Sequence, residues 1–455
     1  MKYFLAIIGG GPAGYTAAEK ALKAGKDVVL FEQTSLGGTC LNVGCIPTKS
    51  LLYGAKQYYN ATHAQKYGVT ATDVTFDFAA MQKRKTIVVR KLVAGIKQRL
   101  NNEHCAVVNG VAKVLDSIRQ VWRIECNGET YEAENLLICT GSTNFVPPIS
   151  GIKDNPAIWD STDALAATEL PESIVIVGGG VIGMEFATLY HELGVEVTVI
   201  EAMPTILPNL DQEVVAVLLE KYKKAGINIL TSTKVTKIEG NDVYVESSVR
   251  DAEMSRITST KVLVSVGRRA NLNGLEALEG LETERGAIKI DEYCRTNLPN
   301  VYACGDVTGK IMLAHVASRQ AEVAVEHMLK EIVNCQLSTI NYSAIPSVVY
   351  TSPEIASVGM TETQAETNAI PVEVRKLPMT FSGRFMAENE GETGLCKMII
   401  DSRNNTIIGV HCIGNPCSEF IAAATCAVQN GYTPEDFKQV VFPHPTVSEI
   451  LHELL

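Results

Sequence analysis

The chain has 455 residues, more than one hydrophobic core usually organises, so about two to four domains are expected. A hydrophobic fraction of 46% and a charged fraction of 20% exclude a disordered or low-complexity scaffold. The net charge of −11 argues against a phosphate-backbone partner, and no apolar run reaches 18 residues, so the reading is a soluble, cytoplasmic protein with no nucleic-acid or membrane partner.

In chain order, the first pattern is "IIGGGPAGYTAAEKALKAGKDVVLFE", residues 7–32. It reads as an apolar strand, a G-x-G-x-x-G turn at Gly9, Gly11 and Gly14, an amphipathic helix closed by Gly25, and a second strand ending in Glu32. This is the βαβ dinucleotide fingerprint. The first glycine permits the tight turn, the second lets the backbone approach a pyrophosphate, and the third lets helix pack on strand, with the helix N-terminus aimed at phosphate. Glu32 can accept hydrogen bonds from ribose hydroxyls, which suits NAD and FAD alike.

"GGTCLNVGCIPTKS" follows at 37–50, with Cys40 and Cys45 five positions apart. Most of the chain's 12 cysteines read as reduced, buried, small hydrophobes in a protein too large to need a disulfide framework. On an ideal helix, residues five apart differ by about 7.5 Å in rise and point about 140° apart. A disulfide wants Cα atoms closer than about 7 Å, so this pair bridges only if the backbone bends. Gly37, Gly38, Gly44 and Pro47 supply that freedom. A bridge held this way would be reducible, which suits electron exchange with a neighbouring dinucleotide. A structural zinc would need four ligands, and no second close Cys or His pair adjoins these two. Lys49, near the same helix end, could be no more than a solvated charge.

The fingerprint recurs without a gap at "IVGGGVIGMEFATLYHELGVEVTVIE", residues 176–201, with Gly178, Gly180, Gly183 and a closing Glu201. Two dinucleotides are therefore expected. Glu201 would repel a ribose 2′-phosphate and "AMPTILPNLD" after it holds no Arg or Lys, which favours NAD over NADP there. The endings "NLLICTGS" at Gly141, "KVLVSVGRR" at Gly267 and "NVYACGD" at Asp306 echo one another. They read as parallel strands delivering glycine-rich ends to one crevice. After about residue 336, alternating β-branched strands and helical stretches indicate a third, mixed α+β domain. There Cys412 and Cys417 repeat the five-residue spacing without the glycine frame, and they read as core packing. In the tail "FPHPTVSEILHELL", His444 lies between two prolines and is followed by Glu449, a pairing that fixes a tautomer and raises imidazole basicity.

"GGTCLNVGCIPTKSLL", the paired fingerprints, "YACGD", "VVYTSPEIASVGMTETQAE" and "HPTVSE" resemble, across essentially the whole chain, the FAD-dependent pyridine nucleotide disulfide oxidoreductases. The resemblance implies an α/β fold: two Rossmann-like dinucleotide-binding domains, for FAD and NAD, plus a C-terminal α+β dimerisation domain. The implied boundaries are 1–148 for FAD, 149–268 for NAD, 269–336 returning to the FAD domain, and 337–455 for dimerisation.

By the same resemblance FAD is held by Gly9, Gly11, Gly14 and Glu32, with Lys49, Gly110, Thr140, Gly141, Asp306 and Ala314. NAD is held by Gly178, Gly180, Gly183, Glu185, Glu201 and Gly267, and Glu185 pairs with Lys49 near the nicotinamide. Cys45 becomes the charge-transfer thiolate, Cys40 exchanges with substrate, and His444, oriented by Glu449, acts as acid/base on the other subunit's disulfide, which implies a homodimer and no metal. The implied activity is oxidation of the dihydrolipoamide arm of a 2-oxoacid dehydrogenase or glycine-cleavage complex, with electrons passing through the Cys40–Cys45 bridge and FAD to NAD. Two alternatives are a related NAD(P)H-dependent flavoprotein disulfide reductase with another substrate and a redox-inactive flavoprotein. The chain departs from the usual family pattern at Phe442, Pro443, Gln320, Ala321, Ala270 and Gly383.

Overall fold

The structure, a computed structural model, describes residues 2–248, 255–333 and 337–455. Residue 336, the expected end of the returning segment, lies outside them. The chain divides into two compact units, one of Met1–Ser50, Ala80–Phe145 and Gly267–Ile340, the other of Leu51–Ala79, Val146–Val266 and Asn341–Leu455.

The first unit is built on β1 (Lys2–Ile8), β2 (Val28–Glu32), β3 (Cys105–Asn109), β4 (Lys113–Ile118), β5 (Val121–Cys126) and β6 (Glu129–Ile138), in the sheet order β3-β2-β1-β6-β5-β4. β3, β2, β1 and β6 run parallel, in register Leu5↔Val28 and Leu5↔Asn135. Such strands are covered on both faces, which is why Leu5, Ala6, Ile7, Val29 and Leu30 are wholly buried and read as continuous apolar runs. β6 uses its first half to pair antiparallel with β5 and its last half to pair parallel with Val301–Ala303. Helix α1 (Pro12–Lys23) starts on a proline and buries Ala13, Ala17, Ala18 and Ala21, small residues that let it lie close to the sheet. Helices α2 (Gly38–Val43), α3 (Cys45–Thr62) and α4 (Phe78–Leu100) follow β2. Within the first unit, the Ala314–Val333 helix meets α1, where Lys20 pairs with Glu326 at 2.7 Å.

The second unit contains a parallel five-stranded sheet in the order Asn228–Leu230, Glu196–Ile200, Ser173–Val177, Lys261–Val264, Ile158–Trp159. Its C-terminal part is an antiparallel sheet in the order Ser347–Val349, Ile355–Gly359, Thr406–Ile413, Leu395–Asp401, Val372–Pro378, covered by the Cys417–Asn430 helix. Lys397, only 2% exposed on that sheet, is held by Asp211 at 3.0 Å, Glu213 at 2.7 Å and Glu362 at 2.6 Å. No helix among the described residues is long and apolar enough to cross a membrane.

The three echoing strand ends belong to two sheets: β6 and Val301–Ala303 are neighbours in the first unit's sheet, whereas Lys261–Val264 pairs with Ser173–Val177 in the second. An apolar strand closed by glycine looks the same in sequence wherever it pairs, because parallel partners lie far apart along the chain.

Candidate active site

The two fingerprints have nearly the same local geometry. A Cβ on Gly9 would sit 2.2 Å from the Cys139 carbonyl oxygen, and one on Gly178 would sit 2.6 Å from that of Ser265. A Cβ on Gly14 or Gly183 would meet the carbonyl oxygen of Gly9 or Gly178 at 1.9 or 2.0 Å. The middle glycine differs: Gly180 has nothing within 4 Å of such a carbon, and Gly11 has only the Gly38 Cα at 3.8 Å. So the first and third glycines are required by the protein's own packing, while the second borders open space. Gly11 and Gly180 also begin helices that no side chain caps, which leaves first-turn N–H groups for an anion. These residues fit a dinucleotide pyrophosphate in both modules.

The closing acids behave alike as well. Glu32 Oε2 accepts the Gly10 N–H at 2.8 Å and its Oε1 accepts the Thr34 N–H at 2.7 Å. Glu201 accepts the N–H groups of Gly179 and Met203, both at 2.7 Å. Each carboxylate is thus fixed at the end of its strand by backbone donors, which sets the orientation it presents to a ribose.

The cysteine segment is strapped to the first module. The Gly37 N–H donates to the Gly10 carbonyl at 2.8 Å, and a Cβ on Gly38 would come within 2.7 Å of the Gly11 Cα. Gly37 takes a left-handed φ of 97° to begin α2, and Asn42 ties α2 back through the Gly38 carbonyl at 3.0 Å. At Gly44 (φ −145°, ψ −110°) the helix breaks and α3 begins anew at Cys45. That break brings the Cα atoms of Cys40 and Cys45 to 4.7 Å, and the two form a disulfide. Thr48 holds the break by donating its hydroxyl to the Gly44 carbonyl at 2.6 Å. Lys49 lies one turn past Cys45 on α3.

Around this strap the first unit places the other expected contacts. The Gly110 N–H donates to the Glu32 carbonyl at 2.9 Å, and Thr140 Oγ1 donates to the Asn271 carbonyl at 2.6 Å. Asp306 accepts the Ser142 hydroxyl at 2.5 Å, and Ser142 in turn accepts Arg268 Nε at 2.8 Å. Gly141 precedes Ser142, Ala314 opens the Ala314–Val333 helix, and Gly267, expected at the second nucleotide, opens the first unit's last segment. Ser142, Arg268 and the buried Gln320, whose Oε1 accepts the Gly305 N–H at 2.6 Å, were not legible as site residues. The partners of Ser142 and Arg268 lie far away in sequence, and Gln320 gave a signal only as a departure from the family pattern.

In the second unit, Glu185 follows Gly183 by two residues and is buried, with Oε1 accepting the Tyr350 N–H at 3.1 Å. His444 Nδ1 lies 2.8 Å from Glu449 Oε1, and Glu449 Oε2 accepts the Thr446 N–H at 2.7 Å. The Thr446 N–H, and after it His444, hold the Glu449 carboxyl below the usual carboxylate range. The His444 side chain is 81% exposed, so this imidazole is oriented by its carboxylate yet open to a reactant from outside the unit.

Cys412 and Cys417 are free and fully buried, and burial raises both thiols well above the usual range. Cys412 faces Cys396 across two strands, with sulfurs 2.9 Å apart, and Cys417 donates to the Glu354 carbonyl at 3.2 Å. The same five-residue spacing thus gives a disulfide in one frame and core thiols in the other.

The family model described as pyridine nucleotide-disulphide oxidoreductase matches residues 3–321, and that of the same family's dimerisation domain matches residues 345–455. The chain is 37% identical to a dihydrolipoyl dehydrogenase of Geobacillus stearothermophilus, over 98% of this chain and 94% of that one. It is 36% identical to a dihydrolipoyl dehydrogenase of Mycoplasma pneumoniae, over 100% and 98%. Among solved structures it is similar to LpdA from Mycobacterium tuberculosis (TM-score 0.89, 27% identity, 99% and 98% covered). It is also similar to the Cu(II) complex of the HOCl-induced flavoprotein disulfide reductase RclA from Escherichia coli (TM-score 0.87, 29% identity, 100% and 99% covered).

Proposed function

Because the chain belongs to the pyridine nucleotide-disulphide oxidoreductase family, we propose that it is a dihydrolipoyl dehydrogenase, oxidising the dihydrolipoamide arm of a 2-oxoacid dehydrogenase or glycine-cleavage complex. The observation that carries this reading is the Cys40–Cys45 disulfide mounted on the first nucleotide module through Gly37 and Gly38. The cofactors are FAD and NAD. FAD belongs to the module that carries the disulfide, with Gly9, Gly11, Gly14, Glu32, Lys49, Gly110, Thr140, Gly141, Asp306 and Ala314 around it. NAD belongs to Gly178, Gly180, Gly183, Glu185, Glu201 and Gly267. The division 1–148, 149–268, 269–336 and 337–455, the Lys49–Glu185 pairing and a cytoplasmic location complete the reading.

The chain's residues act in two exchanges. A substrate thiolate attacks Cys40 Sγ, the Cys40–Cys45 bond breaks, and Cys45 leaves as a thiolate. His444 of a second copy, held by its Glu449, takes the proton from the remaining substrate thiol. That thiolate attacks the substrate sulfur of the mixed disulfide, closing the lipoyl ring and releasing Cys40. FAD held at the first module would supply the two-electron acceptor for the resulting dithiol, with NAD at the second module as the final acceptor. The dimerisation domain supports the homodimer that this use of His444 requires. The test is steady-state reduction of NAD with dihydrolipoamide against a panel of other thiols. Turnover confined to glutathione and NADP would replace this reading with that of a reductase for another disulfide.

A further inference from the structure

α4 concentrates positive charge in an acidic protein. From Phe78 to Asn102 the sequence holds seven of the chain's 40 Lys and Arg and none of its 51 Asp and Glu. Lys83, Arg90 and Lys97 recur every seven residues, so they drift by only about 20° per two turns and form a stripe about 21 Å long, with Lys91 beside Arg90. The helix buries Ile96 and Leu100 near its end. Lys83, Arg90, Lys91 and Lys97 are exposed, and none has a carboxylate partner among the described residues. A helix face that served solubility alone would gain from acidic residues at i±4, and this one has none.

α4 meets α3 near the redox pair. Arg84 donates to the Ser50 hydroxyl at 3.1 Å and to its carbonyl at 3.3 Å. Ser50 follows Cys45 by five residues on α3, about 7.5 Å along the axis. A small neutral dithiol gains nothing from a row of cations. A carrier protein of negative charge does, through faster encounter and a fixed register. We propose that Lys83, Arg90, Lys91 and Lys97 form the docking face for an acidic protein domain that delivers the dithiol arm to Cys40. The proposal rests on the dihydrolipoyl dehydrogenase reading and names the partner of that same site.

The test compares two substrates on the intact holoenzyme: free dihydrolipoamide, and a lipoylated carrier domain of net negative charge. The triple variant Lys83→Gln/Arg90→Gln/Lys97→Gln should lose about tenfold in kcat/KM for the carrier at low salt, through KM, and its salt dependence should flatten. Its kinetics with free dihydrolipoamide should not change. Neutralising the carrier's own carboxylates should reproduce the loss in the unsubstituted enzyme. Equal kcat/KM for the carrier in both enzymes, an equal loss with both substrates, or a stripe effect seen only on anionic vesicles or a DNA duplex would overturn the proposal. Failure of the unsubstituted enzyme to oxidise free dihydrolipoamide would instead sink the functional reading on which it rests.

Discussion

Gln320 accepts the backbone N–H of Gly305 at 2.6 Å from a fully buried position, and Gly305 takes a left-handed φ of 82° immediately before Asp306. The amide of one helix therefore fixes the turn immediately before Asp306, whose carboxylate accepts the Ser142 hydroxyl. Gln320→Leu should strand that N–H, costing about 1–3 kcal/mol of stability and weakening FAD retention. Gln320→Glu keeps an acceptor and adds a buried negative charge. It should leave the fold intact and lower the flavin potential by about 30 mV or more, read by equilibration against a reference dye. An unshifted potential in a folded Gln320→Glu protein would mean that this position does not reach the flavin's electrostatics.

The glycines of the two fingerprints should separate by role. Gly11→Ala and Gly180→Ala add a carbon facing open space at backbone angles alanine accepts (φ −72° and −77°), so both proteins should fold. The first should purify with little flavin, whereas the second should be yellow and fail to reduce NAD. Gly14→Ala drives a carbon to 1.9 Å from the Gly9 carbonyl and should lower the yield of folded protein. Absorbance of the purified proteins and NAD titration check all three.

Glu192, at the end of the second fingerprint's helix, is buried, and its carboxyl is raised to about 7. Burial is the cause, opposed by a hydrogen bond from Ser352 and by Lys56 and Lys221. The folded state thus keeps a proton that the unfolded chain loses near pH 4.5, so stability falls as pH rises between about 4.5 and 7 and is level above that. Glu192→Gln should remove this slope and gain up to about 3 kcal/mol above pH 7, measured by denaturant midpoints across pH.

Glu449→Gln keeps the Thr446 contact but removes the charge beside His444. Thiol exchange with dihydrolipoamide should slow by about 10²-fold while FAD content and thermal stability hold. Loss of flavin in this variant would show that the tail props up the fold instead of orienting an acid/base.

What was legible in the sequence had a fixed local spacing. Both fingerprints, the glycine-framed cysteines and the His444–Glu449 pair are defined by neighbours within about 25 residues, where the hydrophobic period and glycine placement carry the geometry. What escaped was non-local. Arg268 reaches Ser142 across 126 residues and Ser142 reaches Asp306 across 164, with no pattern linking them. Lys397 looked like any charged strand residue until Asp211, Glu213 and Glu362 were seen to surround it. Lys261–Val264 had the right composition for either sheet, and only pairing decided.

The central claim is that the Cys40–Cys45 bridge is the relay to the flavin. The most direct measurement is anaerobic reduction by one equivalent of dihydrolipoamide or NADH, followed by absorbance, in the unsubstituted protein, Cys45→Ser and Cys412→Ser. The account predicts a long-wavelength band from thiolate beside flavin that is kept in Cys412→Ser and lost in Cys45→Ser. An undiminished band in Cys45→Ser would contradict it.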